Sequence, residues 1–336
     1  MTRGRYQVTR LGEDEGAAAR PGCCRCSRPV RLALLVLGLV LVLAAAAAVT
    51  AVVLLRQEEH RSAVYPADES RLYRGGPGVT EGDMLGLNTS SGELSATRDP
   101  KRLWPLGTVA YRTEADIGCP YSARCAVLLA AMAEYSGRTC VRWQSVEETG
   151  GRSDRSEELL VRYRPDSGCH ASVGYRGFTG ADSPPQLLVL GDGCFNMGIL
   201  LHLLGHTLGL WHEHNRPDRD SWMDVNMTNV DPAHTDAFRT FTLNQHRVVD
   251  RLDYSSVMMF GGHAFSSSGG VTLRPHWSDS GTLVPLQNKT QLSEQDVDRV
   301  QAMYIRVCSK RRRLEESWPG EGSHLTGIEG QRPGQA

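Results

Sequence analysis

Apolar residues are patterned differently from one stretch of the chain to the next, and each pattern predicts a different element. Between Arg31 and Arg56 runs an uncharged stretch, Leu32 to Leu55. As a helix rising about 1.5 Å per residue it is long enough to cross about 30 Å of hydrocarbon. From Cys125 to Arg138, Val127, Leu128, Ala131, Met132 and Tyr135 recur at near-helical spacing and predict a long amphipathic helix ended by Gly137. The runs Leu159 to Tyr163 and Gln186 to Leu190 are short and rich in branched or aromatic residues, as buried strands are. Phe195 to Leu210 reads as a further helix, and a last one is expected from Ser293 to about Tyr304, capped by the Ser293 and Asp296 neighbourhood. Residues 1–31 show no hydrophobic period and are expected to be a disordered cytosolic tail. Residues 56–94 read as a stalk or pro-segment, and residues 309–336, with the charged run Lys310 to Arg313, as a solvated disordered end.

Composition adds limits. At 336 residues and a net charge of −1, the chain has room for a large core and no bias toward a polyanion, so a nucleic-acid partner is not expected. Arg20, Arg25, Arg28 and Arg31 precede the apolar stretch, whereas Arg56 and Arg61 follow it beside Glu58 and Glu59. That asymmetry predicts a cytosolic N-terminus and a single-pass type II membrane protein anchored by residues 32–55. The alternative is a cleaved signal peptide, whose apolar region is usually only about 7–15 residues long. Cys119, Cys125, Cys140, Cys169, Cys194 and Cys308 lie beyond the span, an even set suited to pairing on the oxidising lumenal or extracellular side. The sequons at Asn88, Asn226 and Asn288 fit glycosylation on that side. Cys23, Cys24 and Cys26, among arginines, suit S-palmitoylation.

The candidate chemistry lies in residues 202–220, which carry the spacing H-x3-H-x2-G-x2-H. On a helix His202 and His206 share a face one turn apart and can share one metal. Gly209 then lets the chain leave the helix and bring in His212 as a third ligand. Three neutral imidazoles suit one zinc ion with a fourth position open. The residue after the first histidine, where such proteases carry a glutamate general base, is Leu203.

Together with this helix, several segments resemble the astacin family of metzincin proteases. Residues 252–266 resemble its Met-turn, with Met258 beneath the metal and Phe260 where the family has a zinc-proximal tyrosine. Trp104-Pro105-x-Gly107-x-Val109-x-Tyr111 is similar to the start of the mature domain, and Thr139-Cys140-Val-Arg-Trp143 to its first cysteine segment. Gly168-Cys169-x-Ser-x-Val-Gly174 and Gly193-Cys194 look like the pair flanking the cleft strand, and Tyr304 to Cys308 like the closing segment. The resemblance covers residues 95–308 and implies an α+β zinc-protease fold, two sub-domains flanking a cleft.

It also implies disulfides Cys140–Cys308 and Cys169–Cys194, leaving Cys119 and Cys125 to close a small loop. Glu81-Gly82-Asp83-Met84 resembles the pro-segment motif, in which Asp83 would occupy the open zinc position. In the family the glutamate at Glu213 faces the new N-terminus of the processed enzyme. The mature start would fall near Ser95, where no basic cleavage signal precedes it, so Glu213 is expected to need another partner or to stay solvated. Leucine and phenylalanine can neither move a proton nor steady an oxyanion. The resulting expectation is a zinc-binding pseudoprotease with no catalytic residue, acting by peptide or protein binding in the cleft. The alternatives are a working zinc metalloendopeptidase and a structural adhesion ectodomain.

Overall fold

The computed structural model describes residues 35–44, 46–47, 78–85, 100–147, 157–177, 185–242, 250–277 and 281–317. The chain divides into two compact units, residues 1–60 and 61–336. In the first, residues 35–44 and 46–47 are helical (α1), with Leu35, Leu39 and Val42 among the exposed apolar side chains. Among the described residues no helix is long and apolar enough to cross a membrane. The tail 1–31 with Cys23, Cys24 and Cys26, the two ends of the span 32–55, and Asn88 lie outside the described residues.

The second unit is built on one mixed sheet. Strands β1 (Val79–Thr80), β2 (Met84–Leu85), β3 (Thr108–Thr113), β4 (Arg142–Ser145), β5 (Leu159–Tyr163), β6 (Cys169–Ser172) and β7 (Gln186–Leu190) lie in the order β1-β2-β6-β7-β5-β3-β4. The expected strands 159–163 and 186–190 are β5 and β7. Alternate residues Val109 and Tyr111, Leu159 and Val161, Leu188 and Leu190 enter the core, as period-two side chains must when one face is covered. β6 runs antiparallel to β7, and its other edge is taken by β2, which lies parallel to it with Met84 opposite Ala171 and Leu85 opposite Ser172. Residues 79–85 therefore supply two strands, and β6 has no open edge at that register.

Helix α2 (Ala123–Arg138) begins two residues before the expected start, where Ser122 accepts a hydrogen bond from Cys125 N at 3.0 Å. Its face of Cys125, Leu128, Ala131, Met132 and Tyr135 is buried. Gly137 lies inside the helix rather than ending it. Helix α3 (Met197–Thr207) is buried from Gly198 to Thr207, and Tyr135 Oη donates to Leu201 O at 2.9 Å across the two helices.

The following half is less regular, as expected: β8 (Met223–Val225) and β9 (Leu273–Pro275) form a short antiparallel pair, with 3₁₀ turns around them. The final helix α4 (Glu294–Ser317) corrects the expectation of an end near Tyr304 and of a disordered segment from residue 309. Arg311, read as solvated charge, instead lays its guanidinium on the carbonyl oxygens of Leu106 (2.9 Å) and Cys140 (2.6 Å). The three disulfides are Cys119–Cys125, Cys140–Cys308 and Cys169–Cys194, as the resemblance implied.

Candidate metal centre in the cleft

α3 starts at Asn196, whose side-chain oxygen accepts from Gly198 N and Ile199 N. It ends at Thr207, and the chain turns away at Gly209, whose φ of +98° is a left-handed conformation that glycine adopts without cost. The carbonyls orphaned at this end find partners: Gly174 N donates to His206 O, Trp104 Nε1 to Thr207 O and Tyr304 Oη to Leu208 O. Helix, turn and following segment are thereby fixed, and they bring His202, His206 and His212 together as expected.

The three rings meet through their Nε2 atoms, 3.0 Å apart for His206 and His202 and 3.2 Å for His206 and His212. Each Nδ1 faces an acceptor: Val257 O for His202 (2.7 Å), Leu210 O for His206 (2.9 Å) and Glu81 Oε2 for His212 (2.8 Å). With its proton on Nδ1, each neutral ring aims an Nε2 lone pair at the others. Asp83 completes the set, its Oδ2 lying 2.7 Å from His202 Nε2 and 3.5 Å from His206 Nε2. All four residues are buried, and one ligand atom from each lies within 4.8 Å of the rest. Donors about 2.0–2.1 Å from one tetrahedral ion stand about 3.3 Å from each other, so three nitrogens and one carboxylate oxygen fit a single zinc. Converging lone pairs without a cation would repel, and Asp83 Oδ1, buried with no hydrogen bond of its own, lies 3.2 Å from His212 Nε2 and faces the same point.

Electrostatics agree. Burial would push the Asp83 carboxyl up, but His212 and His206 outweigh it and hold the group well below the usual carboxylate range. Burial, aided by neighbouring His206, pushes His202 down to about 4. Burial opposes a charge on His212 too, yet Asp83 and Glu81 overcome it and push that ring up to about 9. A divalent cation would compete with protons for these same lone pairs.

The Met-turn is buttressed from α4. Asp296 accepts from Ser256 Oγ at 2.6 Å and Val257 N at 2.9 Å, while Lys289 Nζ donates to Ser256 O and Met259 O, both at 2.6 Å. Asp296 also exchanges bonds with Ser293 in the cap expected from sequence. Met258 lies beneath the zinc helix: a Cβ on Gly205 would stand 2.6 Å from Met258 Sδ and 3.0 Å from Tyr135 Oη. That packing explains a glycine in a helix interior, where it costs about 1 kcal/mol relative to alanine.

Leu203 is fully buried among the core side chains. Phe260 packs against the ligands, its ring centroid 4.4 Å from that of His212 and 5.6 Å from that of His202. Neither side chain carries an ionisable group. Asn226 and Asn288 are exposed.

Glu213 does not stay solvated. It is buried and held by a bidentate fork from Arg299, at 2.7 and 2.8 Å, with Arg216 Nη1 at 3.0 Å and Asp253 N at 2.9 Å. Burial pushes its carboxyl up, and Arg299 and Arg216 oppose that. Sequence reasoning missed Arg299, which lies 86 positions away and belongs to no local motif. It also left Glu81 without a role, although its place two residues before Asp83 in a short turn was a signal.

A buried three-histidine centre over a methionine turn, set between a mixed sheet and an irregular half, defines a zinc metallopeptidase fold. The family model described as Astacin, a peptidase family, matches residues 96–305. The chain belongs to the astacin family, with its α+β fold and one zinc site formed by His202, His206, His212 and Asp83. Zinc metalloproteinase nas-4 of Caenorhabditis elegans is 32% identical over 227 residues, 67% of this chain and 64% of that protein. Bone morphogenetic protein 1 of Xenopus laevis is 29% identical over 212 residues, 62% of this chain and only 28% of that protein. Among solved structures, high choriolytic enzyme 1, a hatching enzyme zinc-protease from Oryzias latipes, is 25% identical with a TM-score of 0.48, covering 65% of this chain and 98% of that one.

Proposed function

We propose that this astacin-family domain is a zinc-binding pseudoprotease, which acts by holding a peptide or protein ligand rather than cutting it. The observation that carries the reading is Leu203, a buried hydrocarbon at the position from which a glutamate would deprotonate zinc-bound water. When bound, zinc would supply Lewis acidity to a carbonyl and to water; the chain's own residues must then move protons. Leu203 cannot take a proton, and Phe260 offers no hydroxyl to a developing oxyanion. Loss of general acid and base catalysis typically costs about 10² to 10⁴ in rate, and loss of one oxyanion donor about 10² to 10³. Glu213, the nearest acid in sequence, is committed to Arg299 and Arg216. A peptide-library turnover assay on a chain that begins at Ser95, so that Asp83 no longer fills the open zinc position, tests the reading. The expected result is no cleavage above a His206→Ala control, and zinc-dependent cleavage would favour the metalloendopeptidase that family membership suggests.

Location is part of the same proposal: a type II protein anchored by residues 32–55, with the domain facing the lumen or extracellular side. Support comes from the uncharged run, its flanking arginines, the exposed apolar side chains of α1 and the three disulfides in the domain. Protease protection on sealed microsomes should shield the domain, and a soluble product lacking the first fifty or so residues, as expected of a cleaved signal peptide, would contradict it.

A further inference from the structure

His202 and His206 are each oriented by a carbonyl of the domain itself, Val257 O and Leu210 O. His212 differs: its Nδ1 partner is Glu81 Oε2, 131 positions earlier in the chain and two residues before Asp83. The Glu81 oxygen is held in turn by Asn215 Nδ2 at 2.7 Å, and Asn215 is fixed by a second bond to Ala237 O at 2.9 Å. Glu81, His212 and Asn215 are buried, so this chain of bonds works at low dielectric, where it is strong and costly to break. Glu81 opens the three-residue turn that joins β1 to β2. Glu81 has a φ of +54°, a left-handed conformation rarely adopted by side-chain-bearing residues, followed by Gly82 at +92°. Strain of this kind persists where the surroundings over-determine it. Here Val79 and Thr80 on one side and Met84 and Leu85 on the other pair as β1 and β2, and Met84 is buried with Val173, Trp211 and Phe241.

We propose that Glu81 is a positioning residue for the metal: it holds His212 as the Nδ1–H tautomer, leaving Nε2 free to bind zinc. Residues 78–85 then contribute to the centre twice, through the Asp83 oxygen and through the orientation of His212. The strap is a working part of the metal site and not only an obstruction in the cleft, so a chain without it would hold zinc more weakly. A carboxylate behind a ligating imidazole both fixes its ring and raises its basicity, and losing such a partner typically weakens metal affinity about 10- to 100-fold.

The test is zinc affinity of the full-length chain by competition with a chromophoric chelator, for the unmodified protein, Glu81→Gln and Glu81→Ala. Glu81→Gln keeps an acceptor oxygen and loses the charge, so its affinity should fall about tenfold. Glu81→Ala loses both and should fall toward the upper end of that range, about 100-fold. Long-range ¹H–¹⁵N spectra of the histidine side chains, recorded on zinc-free protein at a pH where His212 is neutral, give a readout that simple destabilisation does not move: His212 should keep its Nδ1–H signature in the glutamine variant and lose it in the alanine variant. Should Glu81→Ala not fold, the tenfold loss in Glu81→Gln carries the expectation alone. Affinity within twofold of the unmodified protein in Glu81→Gln, or an unchanged His212 tautomer in Glu81→Ala, overturns the role of Glu81 while leaving the zinc site standing. An unmodified chain that takes up no zinc overturns both, and neither outcome bears on whether peptides are cut.

Discussion

Two consecutive residues, His212 and Glu213, enter two buried polar clusters of opposite character. Around His212 stand three imidazoles and two carboxylates whose lone pairs converge with too little positive charge to satisfy them. Around Glu213 every charge has a partner within the chain: Arg299 and Arg216 face it, Asp250 and Asp218 face those arginines, and the remaining donors reach the backbone carbonyls of Asp250 and Arg251. A buried charge is tolerated when paired and bonded, and costly otherwise. The Glu213 cluster therefore needs nothing from outside, whereas the His212 cluster calls for a cation. The resemblance implied that Glu213 would need a partner, and Arg299 with Arg216 supplies one from within the chain.

The contrast between the clusters meets its most severe challenge at the histidines. His206→Ala should abolish stoichiometric zinc and, with it, the rise in thermal midpoint on zinc addition, both readable by elemental analysis and a melting curve. Next in size, Arg299→Met should cost about 3–5 kcal/mol in chemical denaturation, because it leaves Glu213 buried with a single guanidinium, while the folded variant should still bind one zinc. Equal zinc loss in both variants would mean that the clusters are not separable. Gly205→Ala should destabilise by about 1–3 kcal/mol, since the added methyl meets Met258 Sδ and Tyr135 Oη, and would define how tightly helix and Met-turn are linked. The smallest effect is expected from Ser293→Ala, about 1 kcal/mol for a lost helix cap with zinc content unchanged.

Features governed by local pattern were legible in the sequence. The spacing of His202, His206 and Gly209, the short branched and aromatic runs of β5 and β7 and the cap at Ser293 and Asp296 each depend on a few neighbouring residues. Asp83 as a blocking ligand, Met258 as the Met-turn methionine and the disulfide pairing came from the family resemblance instead. What escaped was non-local. Nothing near Glu213 announces Arg299, and the only local hint for Glu81 is its place two residues before Asp83, because the folded sheet and the β1–β2 turn bring it to His212. The end of α4 escaped for another reason: a run of charged residues suggested solvation, although Lys, Arg, Leu and Glu from 310 to 316 are all strong helix formers and could have extended the expected helix.

On the pseudoprotease reading, this centre should regain chemistry when a glutamate and a tyrosine are put back. Chains lacking residues 78–85, so that the edge of β6 is free, would be assayed for peptide cleavage in zinc-saturated buffer, with and without Leu203→Glu and Phe260→Tyr. The expected result is silence from the native pair of residues and zinc-dependent cleavage from the double variant, a gain of at least about 10². Cleavage by the chain that keeps Leu203 and Phe260, abolished by His206→Ala, would contradict the pseudoprotease reading.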